Sequence, residues 1–337
     1  MAQGHLAPIR SDWLGLTREP AIDPALPICD PHHHLWDHGP GDRYLADDLL
    51  ADTGAGHNVV STVFVDCFSM YRKDGPEALK PVGETEWVQG LTHSVPADAG
   101  TRVAAGIVGT ADLTLGARVR EVLQAHQAAS PRFRGIRHWL NWDAQSEAMG
   151  LRSDAPPRRA FDPAFREGYR ELERLNLSFD AWMYFPQLPE LTALARAVPE
   201  VTVVLNHLGG LLGLGPYARR DEAFELWHRN MKELASCPNV TVKLGGLGVP
   251  RCGFGWHRLD APPTSEDLAS AFSPYCLETI ELFGAQRCMF ESNFPADKCA
   301  YSYTAVWNAF KRIARCCTDA ERAALFHDSA VRVYRLA

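Results

Sequence analysis

The sequence lacks the features that mark several large classes of protein. No apolar run approaches the roughly 20 residues that a transmembrane helix needs, and no basic block offsets the net charge of -7. Residues 1–9 have neither a basic start nor a long apolar core, so we expect no secretory signal. These absences argue against a membrane span and against nucleic acid as the main partner.

Cysteine pairs at metal or redox spacing are also lacking. The nine cysteines are scattered without a Cys-x-x-Cys motif, and an odd number without a framework is typical of thiols kept reduced inside a cell. We therefore expect a cytoplasmic protein that binds a small-molecule substrate and neither a membrane nor nucleic acid. Homo-oligomerisation is compatible with the sequence, which indicates no number of subunits.

What the sequence does contain is a regular alternation of strand and helix patterns. Eight apolar strands are predicted at 28–30, 59–66, 103–108, 133–138, 177–182, 201–206, 240–244 and 287–291. Helices are predicted between and after them, at 44–54, 84–94, 113–128, 162–175, 187–197, 222–236, 264–283 and 303–315. Strands that are apolar nearly throughout predict an α/β protein with a (β/α)8 barrel. A doubly wound open sheet is the alternative, but no Gly-rich turn follows the first strand.

The boundaries of the predicted elements suggest a simple organisation. Residues 1–26 contain several prolines and no clear periodicity, so we interpret them as an N-terminal arm over a single barrel domain at 27–337. Asp112, Asp162 before Pro163, and Ser265 are predicted helix N-caps. Four long segments follow strands, at 67–83, 139–161, 207–221 and 245–263. In a barrel they would lie on the carboxyl-end face, where catalysis occurs.

Polar residues gather at the predicted strand ends. The first strand ends on Asp30-Pro31-His32-His33-His34. Because alternate side chains of a strand point the same way, His32 and His34 should share a face, with His33 turned away. Two adjacent imidazoles can bind a divalent metal or transfer protons. Later strand ends add Arg137, His138, Trp182, Tyr184, His207, Lys243, Asn293 and Asp297.

Each of these residues also has a purely structural interpretation. A single strand-end histidine such as His207 is about as often a packed, hydrogen-bonded residue as a functional one. Arg137 could pair with a structural carboxylate. The two glycine pairs, Gly209-Gly210 and Gly245-Gly246, are best interpreted as turns. They match neither a phosphate loop nor a dinucleotide fingerprint. The site is favoured because three histidines, an arginine, a lysine and an aspartate all fall at one predicted mouth. A serine nucleophile is not expected, since no Gly-x-Ser-x-Gly elbow is present.

The order of four motifs resembles the amidohydrolase-related family. The motifs are Asp-x-His-x-His-x-Trp at 30–36, Arg-Gly-Ile-Arg at 134–137, Asn-His-Leu-Gly-Gly at 206–210 and Glu-Ser-Asn-Phe-Pro-Ala-Asp at 291–297. Within that superfamily the chain is most similar to the branch of 2-pyrone-4,6-dicarboxylate hydrolase, L-fuconolactonase and sulfomuconolactone hydrolase. The resemblance implies a TIM-like barrel, hydrolysis of a lactone that often bears a carboxylate, and a place in aromatic catabolism.

Two departures from the family pattern bear on metal binding. Metal-binding members place an aspartate where this chain has Asn293, an amide that is a poor base and a weak ligand. Many also use a histidine near the end of strand five, where this chain has 184–187, Tyr-Phe-Pro-Gln. We therefore favour chemistry without a cofactor. The alternative is one divalent metal such as Zn²⁺ held by His32, His34 and His207.

The expected mechanism is attack of an activated water on the lactone carbonyl. His32, His34 and His207 would surround the carbonyl and the water, with His207 or His34 as the general base. Asn293 would orient water and Asp297 would be the nearest replacement carboxylate. Substrate contacts are expected from Arg137 or its neighbour His138, from Lys243, and from the apolar walls Trp36, Trp182 and Tyr184. The alternatives are a metal-dependent decarboxylase of an aromatic or muconate-like acid, a hydrolase of another acyl bond, and a non-catalytic binding barrel.

Overall fold

Eight parallel strands form the barrel in a computed structural model that describes residues 7–39, 41–96 and 98–336. The strands are β1 Pro27–His33, β2 Asn58–Val65, β3 Arg102–Gly109, β4 Phe133–Trp139, β5 Ser178–Trp182, β6 Val203–Leu205, β7 Val240–Leu244 and β8 Cys288–Phe290. Each pairs with the next in chain order. The segment after β8 returns to β1, where the Asn293 amide donates to the His32 carbonyl at 3.0 Å and the His34 amide to the Phe294 carbonyl at 2.8 Å. The predicted (β/α)8 barrel is confirmed, and the open-sheet alternative is wrong.

A helix follows each strand and covers the outside of the barrel. These helices are α1 Ala46–Thr53, α2 Val82–Thr92, α3 Val119–Ala129, α4 Pro163–Arg174, α5 Leu188–Ala197, α6 Arg220–Ala235, α7 Ser265–Phe283 and α8 Tyr303–Ile313. Shorter helical segments are Ser11–Leu14, His207–Gly210, Asp319–Ala323, the π-helical Ala324–Asp328, and Ser329–Val333. Trp36–Asp37 and Arg43–Tyr44 pair as a small antiparallel ribbon. Because the helices cover its outer face, the sheet is buried on both sides, which explains why its strands are apolar.

Of the three predicted helix N-caps, one is confirmed and two are corrected. Asp162 accepts hydrogen bonds from the amides of Ala164 and Phe165, with Pro163 at the first helical position, as predicted. Asp112 instead caps a 3-10 turn at Leu113–Arg118, because the backbone at Gly116 (φ 60) interrupts the predicted helix 113–128. The cap of α7 is Thr264, whose side chain accepts from the Asp267 amide, so Ser265 is the first helical residue.

The described part of the N-terminal segment, residues 7–26, is bound to the loop that follows β7. The Trp13 indole donates to the Leu259 carbonyl at 2.9 Å, the Thr17 hydroxyl to the Pro262 carbonyl at 2.7 Å and the Arg10 guanidinium to the His257 carbonyl at 2.7 Å. Residues 1–6 of the predicted arm lie outside the described residues.

None of the helices in the described part of the chain combines the length and apolar character needed to cross a membrane. All nine cysteines lie within the described residues and none forms a disulfide. Most of them are buried in the core, where their thiols pack as small apolar groups.

Candidate active site

A cavity of about 690 Å³ opens at the carboxyl ends of the barrel strands. Its walls combine charged, polar and aromatic side chains contributed by separate strand ends and loops. They include His34, Trp36, Arg137, Trp182, Tyr184, His207, Arg251 and Asn293. All but one of these residues come from the predicted set, and Arg251 is new.

The histidines at the ends of β1 and β6 form one cluster. The ring centroid of His32 lies 4.9 Å from that of His34 and 4.5 Å from that of His207. His33 faces away and lies 2.9 Å from the Thr62 hydroxyl, which is the alternation predicted from the sequence. Burial lowers the pKa of His32, His34 and His207 well below the usual range, and nearby cationic side chains lower it further. The cluster is therefore neutral at pH 7.

Glu291 joins two of these histidines from behind. The Nδ1 atom of His207 lies 2.6 Å from Oε1 of Glu291, which also accepts from the His207 amide at 3.1 Å. The Nδ1 atom of His32 lies 2.9 Å from the other carboxyl oxygen, Oε2. Burial raises the pKa of Glu291 to about 8, against the opposing effect of the Lys243 ammonium. The carboxyl group thus fixes the orientation of the His207 ring and leaves its Nε2 atom toward the cavity.

Lys243 is placed behind the histidines and does not line the cavity. Its ammonium donates to Asp180 at 2.8 Å and lies 3.1 Å from Nδ1 of His32. Asp180 also accepts from the Asn206 amide at 3.0 Å and from the Tyr334 hydroxyl at 2.8 Å. Lys243 and Asp180 are both fully buried. This ion pair corrects the expected contact between Lys243 and a substrate carboxylate.

Asn293 and Asp297 are in direct contact after β8. The Asn293 side-chain amide donates to Oδ1 of Asp297 at 2.7 Å. The other oxygen of Asp297 accepts from the Gly248 amide at 2.9 Å and the Tyr301 hydroxyl at 2.5 Å. Burial raises the pKa of Asp297 to about 6 against these three hydrogen bonds, which lower it. Asp297 is fully buried, and Asn293 stands between it and the cavity.

Two guanidinium groups face the cavity with unused hydrogen-bonding capacity. Arg137 stacks on Trp139 at 4.7 Å and lies 4.0 Å from Asp66. Arg251 stacks on Trp182 at 4.4 Å. Within the described residues, the Nε atoms of both arginines are buried without a hydrogen-bond partner. A guanidinium group at a cavity wall suits an anionic ligand, because its N–H donors match the oxygens of a carboxylate.

The predicted aromatic walls are in place, but His138 is not. Trp36, Trp182 and Tyr184 line the cavity. Arg137 and His138 are adjacent on β4 and therefore point to opposite faces. The His138 ring packs edge-on against Phe165 of α4, with ring centroids 5.1 Å apart. The structure thus corrects the expected substrate contact of His138, which lies on the helix side of the barrel wall.

The glycine pair after β7 makes room for the site. A side chain at Gly245 would place its Cβ 2.3 Å from the Glu291 carbonyl oxygen, and one at Gly246 would come 2.3 Å from Nδ1 of His207. His207 itself has φ 55, a left-handed conformation that is uncommon outside glycine and concentrates at functional sites. The pair is therefore required by the packing of Glu291 and His207 as well as by the turn.

The donor set of the cluster fits a divalent metal. One ligand atom from each of His32, His207 and Glu291 lies within 4.8 Å of the others. The Nε2 atom of His32 is buried with no hydrogen-bond partner in the described part of the chain. Imidazole nitrogens with a carboxylate oxygen suit Zn²⁺. This favours the metal-bound alternative over the expectation of a cofactor-free site, with Glu291 rather than His34 in the compact group.

Reasoning from the sequence did not single out four charged residues that the structure places at or behind the cavity. Glu291 was visible only as part of a motif, and Asp180 lies inside an apolar strand. Asp66 follows β2, and Arg251 sits in the long loop after β7. The position of Glu291 at the end of a barrel strand is the one sequence signal that could have identified it.

The chain belongs to the amidohydrolase family, whose model matches residues 29–336. It is 28% identical over 323 residues to L-fucono-1,5-lactonase of Burkholderia multivorans, covering 91% of this chain and 95% of that protein. It is 37% identical over 332 residues to the "Uncharacterized protein y4mH" of Sinorhizobium fredii, covering 92% of this chain and 98% of the relative. Family and relatives together identify the chain as a hydrolase.

The fold is shared with a zinc-bound amidohydrolase of Burkholderia multivorans. That crystal structure has a TM-score of 0.69 and 26% sequence identity, with 92% of this chain and 99% of the other covered. The two coverages show that the similarity extends over nearly the whole of both chains.

Proposed function

We propose that the protein hydrolyses a lactone that bears a carboxylate. The observation that carries the proposal is the arrangement of the cavity, whose wall contains two neutral histidines, His34 and His207, and two guanidinium groups without full hydrogen-bond partners, while His32 is fully buried behind the wall. The similarity to L-fucono-1,5-lactonase supports the reaction type. The guanidinium groups support an anionic substrate.

Arg137 and Arg251 would bind the substrate carboxylate. A guanidinium presents parallel N–H donors that match the two oxygens of a carboxylate. Both arginines already stack on tryptophan rings, so little side-chain freedom remains to be lost on binding. Trp36, Trp182 and Tyr184 would hold the lactone ring and exclude bulk water.

His34 would act as the general base. Its Nδ1 atom lies 2.7 Å from the Val65 carbonyl oxygen, a contact that keeps the N–H at Nδ1 and leaves a lone pair on Nε2. As the water oxygen attacks the carbonyl carbon, Nε2 would take one water proton. The resulting imidazolium would return that proton to the ring oxygen as the carbon–oxygen bond breaks, giving a hydroxy acid.

His32, His207 and Glu291 would hold a divalent ion such as Zn²⁺. When bound, such an ion supplies Lewis-acid polarisation and lowers the pKa of water. His207 belongs to this group and His34 does not, which is why we assign the base to His34. Glu291 keeps the His207 ring in place through its 2.6 Å contact.

The roles can be separated by assaying His34→Gln and His207→Gln on a panel of carboxylated lactones, with metal content measured on the same samples. We expect His34→Gln to keep its zinc and lose about 10²- to 10⁴-fold in kcat, the usual contribution of a general base. We expect His207→Gln to lose zinc as well as activity. Normal turnover by His34→Gln would contradict the assignment, and release of carbon dioxide would identify a decarboxylase instead.

A further inference from the structure

The residue at the position of the expected aspartate has a defined orientation. Asn293 lines the cavity and its Nδ2 atom donates to Oδ1 of Asp297 at 2.7 Å. Within the described residues, the Asn293 side chain makes its hydrogen bond through Nδ2, and its amide oxygen accepts none. Since an amide has its donor and acceptor on opposite sides, the oxygen is the atom left for the cavity.

Asp297 determines this orientation because all its neighbours donate. The Gly248 amide and the Tyr301 hydroxyl donate to Oδ2 at 2.9 Å and 2.5 Å. A carboxylate can only accept, so it selects the amide rotamer that turns the NH2 group of Asn293 inward. The fully buried Asp297 has no direct access to the cavity.

We propose that Asp297 is a positioning residue that holds Asn293 with its amide oxygen toward the substrate, so that the site presents a neutral hydrogen-bond acceptor to the attacking water. This inference rests on the proposed lactone hydrolysis. An amide oxygen accepts a hydrogen bond but does not take up a proton near pH 7. Asn293 would therefore orient the water while His34 takes the proton, and Asp297 would act only through Asn293.

The substitution Asp297→Asn should reverse the amide of Asn293. The new amide must keep its oxygen toward the Gly248 N–H and Tyr301 hydroxyl, because the Gly248 N–H can only donate. Its NH2 group would then face Asn293, whose oxygen would turn inward to accept from it. The cavity would receive a donor in place of an acceptor. We expect kcat to fall at least about tenfold with KM little changed, because Arg137 and Arg251 are untouched.

The double variant Asn293→Asp with Asp297→Asn restores an acceptor at the cavity. The new amide at position 297 would donate to the new carboxylate at position 293, whose other oxygen would face the substrate. We expect this double variant to recover a substantial part of the kcat lost in Asp297→Asn. If Asp297 were only a structural residue, the second substitution would add to the damage, and this outcome would overturn the proposal.

Hydrogen exchange of the Asn293 side chain gives a readout that needs no substrate. The Nδ2 resonance, assigned by its absence in Asn293→Asp, should exchange slowly in the parent because its N–H is bound to a buried carboxylate. It should exchange rapidly in Asp297→Asn. Slow exchange with no lactone turnover would refute the proposed function while keeping the orientation of the amide. Equal exchange in parent and variant, with both folded, would refute the orientation itself.

Discussion

On the proposed function, Arg251 would be the charge that distinguishes a carboxylated substrate from a neutral one. It lines the cavity, and in the described part of the chain its Nε atom has no hydrogen-bond partner. We expect Arg251→Gln to lower kcat/KM for a carboxylated lactone about 10- to 100-fold, the value of a charged hydrogen bond of about 1.5–3 kcal/mol. Arg251→Lys should retain part of the activity as a point charge.

A neutral lactone of the same ring size provides the comparison for that experiment. Its kcat/KM should change little in Arg251→Gln, as should that of both substrates in the surface variant Arg196→Gln, whose guanidinium pairs with Glu233. An equal loss on charged and neutral lactones would show that Arg251 shapes the site without recognising the carboxylate.

The buried ion pair of Lys243 with Asp180 is expected to stabilise the fold behind the cavity. Lys243→Met would leave Asp180 buried with two hydrogen-bond donors but no countercharge. We expect the free energy of unfolding to fall by about 3–5 kcal/mol, as when one partner of a buried pair is removed. Urea unfolding at pH 7 measures this change. The double variant with Asp180→Asn should recover part of the loss, whereas additive losses would show that the pair is not coupled.

At the scale of a single helix, His126 links α3 to the barrel. Its ring stacks on Phe133 at 4.7 Å, and its nitrogens lie 2.8 Å from the Thr85 hydroxyl and 3.0 Å from the Thr110 carbonyl. Burial lowers its pKa to about 4, although the Thr110 carbonyl, Asp66 and Glu86 act in the opposite direction, and Arg72 lowers it further. The folded protein therefore keeps this ring neutral where the unfolded chain would protonate it.

This difference makes stability depend on pH in a defined window. Because the folded pKa is below the unfolded value of about 6.5, the unfolded state binds more protons between pH 6.5 and pH 4. The stabilisation is complete above pH 6.5 and is lost as the pH falls to about 4, by about 3 kcal/mol. We expect the free energy of unfolding of His126→Gln to fall less steeply than that of the parent as the pH is lowered from 6.5 to 4. Identical slopes in parent and variant would contradict the assignment.

The N-terminal segment lies outside the barrel but contributes to the cavity. Ala7, Pro8, Ile9 and Ser11 line the cavity, and Trp13 holds the segment to the loop after β7. The segment therefore forms one wall of the cavity. Trp13→Ala should raise KM about fivefold to tenfold, a loss of about 1 kcal/mol of binding, with kcat nearly unchanged.

A matched control lies on the same segment. Leu16 is 65% exposed, so Leu16→Ala removes a similar apolar side chain without releasing the anchor. We expect its KM to equal that of the parent. A fall in kcat at constant KM for Trp13→Ala would place the effect in the chemistry rather than in the wall.

For the whole molecule, the sequence predicted the barrel well because its signal is local. Apolar runs flanked by helical patterns identify every strand, and chain order then fixes the neighbours of each strand. The same reasoning brought His32, His34 and His207 to one face. It could not choose between Arg137 and His138. The alternation of side chains along a strand places the two on opposite faces, but it does not say which of them points into the barrel.

The sequence could not predict which residues the site residues contact. The pairing of Lys243 with Asp180, and of Glu291 with two histidines, joins strands that are far apart in sequence and meet only when the barrel closes. These contacts change the assigned chemistry, since Lys243 becomes a buried countercharge and Arg251 takes its place at the cavity. Burial decides the role of such groups, and burial is a property of the folded chain.

The central claim is that this cavity opens carboxylated lactones by hydrolysis. The most direct test is proton release by the purified parent protein on a panel of carboxylated lactones, recorded at constant pH while headspace carbon dioxide is measured. We predict one proton released per hydroxy acid formed, no carbon dioxide, and loss of the signal in His34→Gln. Binding without proton release across the panel, or carbon dioxide in proportion to substrate consumed, would contradict the account.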